Sequence, residues 1–166
     1  MFFPGKEKNE HLIEQILLNN YNSYYRLAYS YVHNEADAGD IVQNGAYKAI
    51  LNSASLKQKS YAATWVYRIM LNEIFRFLNE ERGNIPLEEM GMEPAKEDTY
   101  ENLDLKKALD SLSPQDKAVI ELKYFEELKF EEIAEVLEEN VNTVKSRLYR
   151  GLKKLKLELS DTWQWE

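Results

Sequence analysis

The chain has 166 residues, no cysteine, two histidines, 44% hydrophobic residues and a formal net charge of −8. This length allows one domain or two small ones, and the apolar content is enough for a core, which excludes wholesale disorder. Without cysteine there can be no disulfide, thiolate metal site or cysteine nucleophile; with no secretory signal core and no membrane-spanning apolar run, a soluble cytoplasmic protein without direct membrane insertion is expected.

In chain order, Leu12, Ile13, Ile16 and Leu17 set the apolar side of a short helix over Glu10–Leu18, with Asn9 as its expected N-cap. Asn19-Asn20 interrupts it. Tyr24, Leu27, Ala28, Tyr31 and Val32 then define a second helix over Tyr21–His33. Asn34 is placed to cap a third, with an acid, Asp37, at N3. Along that helix Ala38, Ile41, Val42, Gly45, Ala46, Ala49 and Ile50 fall on one side, and its small residues permit close approach of a neighbour.

Asn52–Lys59 reads as a polar loop and Ser60 as the cap of a long fourth helix ending near Arg82. Its apolar side holds Ala63, Val66, Tyr67, Met70, Leu71, Ile74 and Leu78. Trp65, Arg68, Asn72 and Arg76 form another ridge, at spacings of 3, 4 and 4. An aromatic ring, guanidinium groups and an amide in one line suit stacking on, and hydrogen bonding to, unpaired bases. On the pattern alone a core tryptophan flanked by surface arginines is favoured over that ridge.

Residues 83–102 contain two glycines, two prolines and six acids against one lysine, a linker composition. The expected organisation is therefore a helical domain over 1–82, a linker over 83–102 and a second helical domain over 103–166. Leu103–Leu112 is a helix with Leu105, Ala108, Leu109 and Leu112 inward. Ser113-Pro114-Gln115-Asp116 supplies an N-cap serine, proline at N1 and an acid at N3. The helix that follows, to about Phe125, buries Ala118, Val119 and Leu122, with Tyr124 at its margin. After a turn at Glu126–Lys129, Phe130–Glu138 is a short helix with Ile133, Ala134 and Leu137 inward.

The last helix is out of character with the acidic chain. From Thr143 to Leu157 it carries Lys145, Arg147, Arg150, Lys153, Lys154 and Lys156 and no acid. Val144, Leu148, Leu152, Leu155 and Leu159 form its apolar stripe. With the preceding short helix and a turn at Glu138–Val141 it makes a helix-turn-helix. Its polar start and basic outer faces suit a DNA major groove, with Asn140, Asn142, Thr143, Lys145, Ser146, Arg147 and Arg150 as candidate contacts. A merely solvated basic face is the bland alternative. No strand pattern, phosphate loop, catalytic triad or metal-ligand spacing involving His11 or His33 is present, so no cofactor, catalytic residue or small-molecule substrate is expected.

Two separated parts resemble the extracytoplasmic-function (ECF) sigma factors, the small two-domain members of the sigma-70 superfamily. Ala-Asp-Ala-Gly-Asp-Ile-Val-Gln at 36–43 and Thr-Trp-Val-Tyr-Arg-Ile-Met-Leu-Asn at 64–72 carry the first part. Ala-Leu-Asp-Ser-Leu-Ser-Pro at 108–114, Glu-Ile-Ala-Glu-Val-Leu at 132–137 and Thr-Val-Lys-Ser-Arg-Leu-Tyr-Arg-Gly at 143–151 carry the second. The resemblance implies an all-α, non-enzymatic factor that binds core RNA polymerase through the β′ clamp and β flap. Asp37, Asp40, Ile41, Val42 and Gln43 would contact the clamp. Tyr61, Trp65, Arg68, Asn72 and Arg76 would face the promoter −10 element, and the helix-turn-helix would read the −35 element as duplex. An anti-sigma factor is the expected regulator. Three departures stand out: Arg76 and Asn79 where the family often has aspartate and arginine, Glu138 where it commonly has glycine, and Lys129 where it often has a capping serine. The rival reading is an ordinary helix-turn-helix regulator with an N-terminal dimerisation or sensing domain.

Overall fold

The computed structural model describes the backbone of residues 4–84 and 100–162, and the side chains of residues 8–81 and 104–159. Among these every regular element is helical, and the chain divides into two compact units, Met1–Asn84 and Ile85–Glu166. Most of the expected linker lies outside the described residues.

The first unit packs three helices, α1 (Pro4–Val32), α2 (Glu35–Leu51) and α3 (Ala62–Asn84). The two helices expected before His33 are one helix with a kink at Asn20, whose φ and ψ are −118° and 15°. There the Asn20 amide donates to the Ile16 carbonyl at 3.1 Å, a local side-chain bond of the kind that competes with the helical ladder. Asn9 is inside α1 and caps nothing. Its amide donates instead to the carbonyls of Ser53, at 2.9 Å, and Leu56, at 3.3 Å, fixing the loop after α2. Asn34 does cap α2, accepting from the Asp37 N–H at 2.9 Å.

Ile13, Tyr24, Leu27 and Ala28 of α1 meet Ala38, Ile41, Val42 and Ala49 of α2 and Val66, Met70, Leu71 and Ile74 of α3 in the core. The Tyr24 and Tyr67 rings meet edge to face at 5.1 Å. At Gly45 α2 lies close against α3: a Cβ there would lie 2.5 Å from the Met70 sulfur. α3 is entered through a helical turn at Lys59–Tyr61 rather than capped at Ser60, and Ala62, not Ala63, is its buried alanine. It runs two residues past the expected boundary, through Asn84.

The second unit holds α4 (Tyr100–Asp110), α5 (Pro114–Ile120, continued by a π turn over Glu121–Phe125), α6 (Phe130–Leu137) and α7 (Val141–Thr162). Ser113 accepts from the Asp116 N–H at 3.2 Å, the expected cap. Ala118, Val119, Leu122, Ile133, Val136, Val144 and Leu148 form the core with Ala108, Leu109 and Leu112. Leu105 is exposed instead of inward, Tyr124 is exposed beyond the margin expected for it, and Val136 takes the buried place expected for Leu137. Lys129 cannot accept a hydrogen bond, so α6 is capped from within: the Glu132 carboxylate accepts from the Lys129 N–H at 3.0 Å.

α6 ends at Glu138 in the left-handed conformation, φ 55° and ψ 42°, and the Glu139 N–H reaches back to the Ala134 carbonyl at 3.0 Å. A side chain in this conformation costs about 1–2 kcal/mol. Glu138→Gly is therefore expected to stabilise the second unit by roughly 0.5–1 kcal/mol, part of the relief being offset by glycine's unfolded-state entropy. Urea unfolding of the two proteins checks this, and a lower midpoint for the glycine variant would mean that the contacts of Glu138 outweigh its strain.

Candidate functional site

The outward side of α2 presents Asp40, Gln43 and Asn44, with Asp37 half-buried at its N-terminal turn. Ile41 and Val42, expected among the contacts, are turned inward with 3% and 1% of their surface exposed. They hold the helix in place and offer no surface to a partner. The apolar part of the outward strip is Tyr47, 67% exposed, and Leu51, 55% exposed, at helical spacing from Gln43. Sequence reasoning missed both, although their i+4 relation was legible.

Tyr61, in the turn that leads into α3, and Asn72 of α3 are exposed, while Trp65 and Arg68, at helical spacing before Asn72, are half-buried, with the indole partly in the packing. The loop leading in is anchored by buried Leu56 and exposes Lys57–Tyr61. Arg76 is less available than its position suggests. Its guanidinium bonds Glu73 at 2.7 Å and Glu80 at 2.9 Å. Glu73 is buried and also holds Lys48 of α2. Burial pushes the Glu73 carboxyl up, but the hydrogen bonds from Arg76 and Lys48 outweigh it and hold the group below its ordinary range. Arg76 thus belongs to a cross-helix ion-pair cluster, foreshadowed by acids at i−3 and i+4.

Just before α7 the Asn140 side chain accepts from the Thr143 N–H at 2.7 Å, so it serves as the helix cap where a DNA contact was expected. Asn142, Lys145, Ser146, Tyr149 and Arg150 are exposed and Thr143 is half-buried. Tyr149, 75% exposed among basic residues, was not foreseen. Phe130 at the start of α6 supports Lys145, whose Nζ lies 5.6 Å from the ring centroid; Lys123 of the π turn lies 4.3 Å from the same ring. Lys123 was also not foreseen.

The inward stripe of α7 is Val144, Leu148, Gly151 and Leu155. Leu152, expected in it, is 37% exposed. Gly151 takes its place in the packing: a Cβ there would lie 2.8 Å from the terminal Cδ1 of Ile120, which would have to shift to admit it.

Arg147 was expected to face DNA and is instead folded back. Its Nε donates to Glu139 at 2.7 Å and its Nη1 to Asp116 at 3.0 Å, leaving 23% of the side chain exposed. It ties α5 and the turn to α7. Asp116 also accepts both the Nε, at 2.9 Å, and the Nη2, at 2.8 Å, of Arg150. The Arg150 hydrogen bond, helped by Arg147 and opposed by burial, lowers the Asp116 carboxyl below its usual range. Asp116 reads from sequence only as a helix-start acid, because its partners are 31 and 34 residues away. Lys154 of the basic run is exposed and donates to the Ser111 carbonyl at 2.7 Å.

Among the described residues no group of three or more histidine, cysteine or acidic side chains is placed to hold a metal ion, and no helix is long and apolar enough to cross a membrane.

Comparison with known proteins brings the two units together. The family description "Sigma-70 region 2" matches residues 17–83, and "Sigma-70, region 4" matches residues 102–155. RNA polymerase sigma factor SigV of Bacillus subtilis is 37% identical over 93% of this chain and 95% of its own length. ECF RNA polymerase sigma factor SigW of the same organism is 30% identical over 82% of this chain and 83% of its own. The sigma factor RpoE of Bartonella quintana, solved in complex with the anti-sigma factor NepR, superposes with a TM-score of 0.73 at 25% identity, covering 89% of this chain and 96% of that one. An ordinary helix-turn-helix regulator is not favoured, because the N-terminal unit carries region 2 rather than a dimerisation or sensing domain. A region 2 bundle followed by a region 4 helix-turn-helix, with full-length likeness to SigV, establishes that the chain belongs to the ECF group of RNA polymerase sigma factors.

Proposed function

We propose that the first unit docks on the polymerase β′ clamp through Asp37, Asp40 and Gln43, with Tyr47 and Leu51 supplying the apolar contact in place of Ile41 and Val42. Tyr61, Trp65, Arg68 and Asn72 then face an unpaired base of the −10 element, and Arg76 contributes through its cluster with Glu73. The second unit touches the β flap and lays α7 in the −35 major groove through Asn142, Thr143, Lys145, Ser146, Tyr149 and Arg150. The sequence over 83–102 connects the two. The factor works in the cytoplasm, carries no catalytic residue of its own and needs no cofactor. By likeness to RpoE, which was crystallised with NepR, an anti-sigma protein holds it inactive.

The observation that carries this reading is the division of α7. One side is packed, and the other presents amide, hydroxyl, ammonium, guanidinium and phenol groups in a chain of net charge −8. Phosphate neutralisation supplies most nonspecific DNA affinity, so an acidic chain with one basic reading face suits binding within a holoenzyme.

Transcription in vitro with purified core polymerase, followed by start-site mapping, tests it. Lys145→Ala is expected to impair −35-dependent initiation without loosening core association. Asp40→Ala with Gln43→Ala is expected to weaken core pull-down with thermal stability nearly unchanged. Loss of core binding by the Lys145 variant, or unfolding of the Asp40/Gln43 variant, sinks the corresponding assignment.

A further inference from the structure

The geometry points to Asp116 as a positioning residue for DNA binding: its buried carboxylate holds Arg150 so that the outward end of the guanidinium meets a DNA phosphate. This rests on the reading of α7 as the −35 helix. Arginine has five N–H donors in a rigid plane. Asp116 takes the Nε edge of Arg150 through two bonds, at 2.9 and 2.8 Å. Three donors, two on Nη1 and one on Nη2, are directed away from that carboxylate. The side chain keeps 62% of its surface exposed while Asp116 keeps 8%. A long, flexible cation is thereby fixed at its base and open at its tip.

Fixing the side chain beforehand reduces the rotamer freedom lost when a phosphate binds, and guanidinium geometry suits a phosphate oxygen pair. Arg147 shares the same carboxylate with a different consequence. Both its Nε and Nη1 are engaged and only 23% of it is exposed, so it completes the anchor and does not reach out. Arg150 lies beyond Lys145 and Ser146 along α7, past the helix's N-terminal residues that contact base edges in a helix-turn-helix, and so takes the backbone contact.

Simple electrostatics predicts the opposite sign, which makes the idea testable. Asp116→Asn removes a negative charge near DNA, so a long-range charge effect would tighten binding. Positioning predicts weaker binding. The assay is fluorescence anisotropy of holoenzyme on a duplex spanning the −35 region of a promoter found by start-site mapping, titrated across salt concentrations. Arg150→Ala is expected to weaken binding and to lower the salt slope by about 0.9, one phosphate contact. Asp116→Asn, and Arg150→Lys, which keeps the charge and all of Asp116, are each expected to weaken binding several-fold. Added to Arg150→Ala, Asp116→Asn is expected to have little further effect.

Unchanged or tighter binding by Asp116→Asn, wild-type binding by Arg150→Lys, or full additivity of Asp116→Asn with Arg150→Ala overturns the inference, the last because it marks a role in folding alone. Lys145→Ala in the same assay separates the two levels. If it weakens binding while the Asp116 and Arg150 variants do not, only the positioning role falls. If it too binds as wild type, the reading of α7 falls and takes the inference with it.

Discussion

Ile133→Ala is expected to destabilise the second unit by about 2–5 kcal/mol, the range for truncating a buried isoleucine whose cavity collapses only partly. Ile133 has no exposed surface and sits on the short α6, within the core that includes Leu122 of the π turn and Val144 of α7. A helical unit of about sixty residues has a total stability of roughly 3–9 kcal/mol at ~0.05–0.15 kcal/mol per residue. The loss is therefore comparable with everything the unit has. The first unit has its own core around Tyr24, Met70 and Ile74 and should be spared. Hydrogen exchange read by mass spectrometry on the full chain is the measurement. Amides in residues 104–159 should lose protection while those in 8–81 keep it. If both sets lose protection together, the units do not fold separately. In transcription the variant should retain core association and lose −35 dependence.

What the sequence made legible is local. Asn34 and Ser113 were identified as caps because a cap depends on residues within one turn, and both make the expected bond. Helix identity followed from apolar spacing. Which of two adjacent apolar residues turns inward did not. Ala62 for Ala63, Val136 for Leu137 and Gly151 for Leu152 are each one-residue shifts of register, about 100° around the helix. Periodicity marks an apolar arc but not its centre, which the neighbouring helices decide.

Ile41 and Val42 show the same limit with a functional consequence. The motif 36–43 marks a surface helix, yet an amphipathic helix bearing a motif also carries its own core residues within it. The outward apolar residues lay one and two turns later, at Tyr47 and Leu51. Arg147 was unreadable for another reason. Its position in a basic run suggested DNA, and only the fold brings Asp116 and Glu139 to it. Charge counted along the chain says nothing of charge already paired across it.

That pairing also sets how the second unit should respond to acid. Asp116→Ala is expected to destabilise it by about 2–3 kcal/mol at pH 7, below the ~3–5 kcal/mol for breaking a fully buried pair because Arg150 reaches solvent. The sign with pH follows from the carboxyl being lowered in the folded protein, with Arg150 the main cause. A group titrating lower when folded than its unfolded value, about 3.9, gives its full stabilisation above that value and loses it as pH falls through the folded one. The difference between wild type and Asp116→Ala should hold from pH 7 to about 5 and narrow below about 4. Urea unfolding at pH 7, 5 and 3.5, with hydrogen exchange to assign the transition, reads it directly. A difference that persists undiminished at pH 3.5 would mean that packing around the side chain, rather than the charge on its carboxylate, joins α5 to α7.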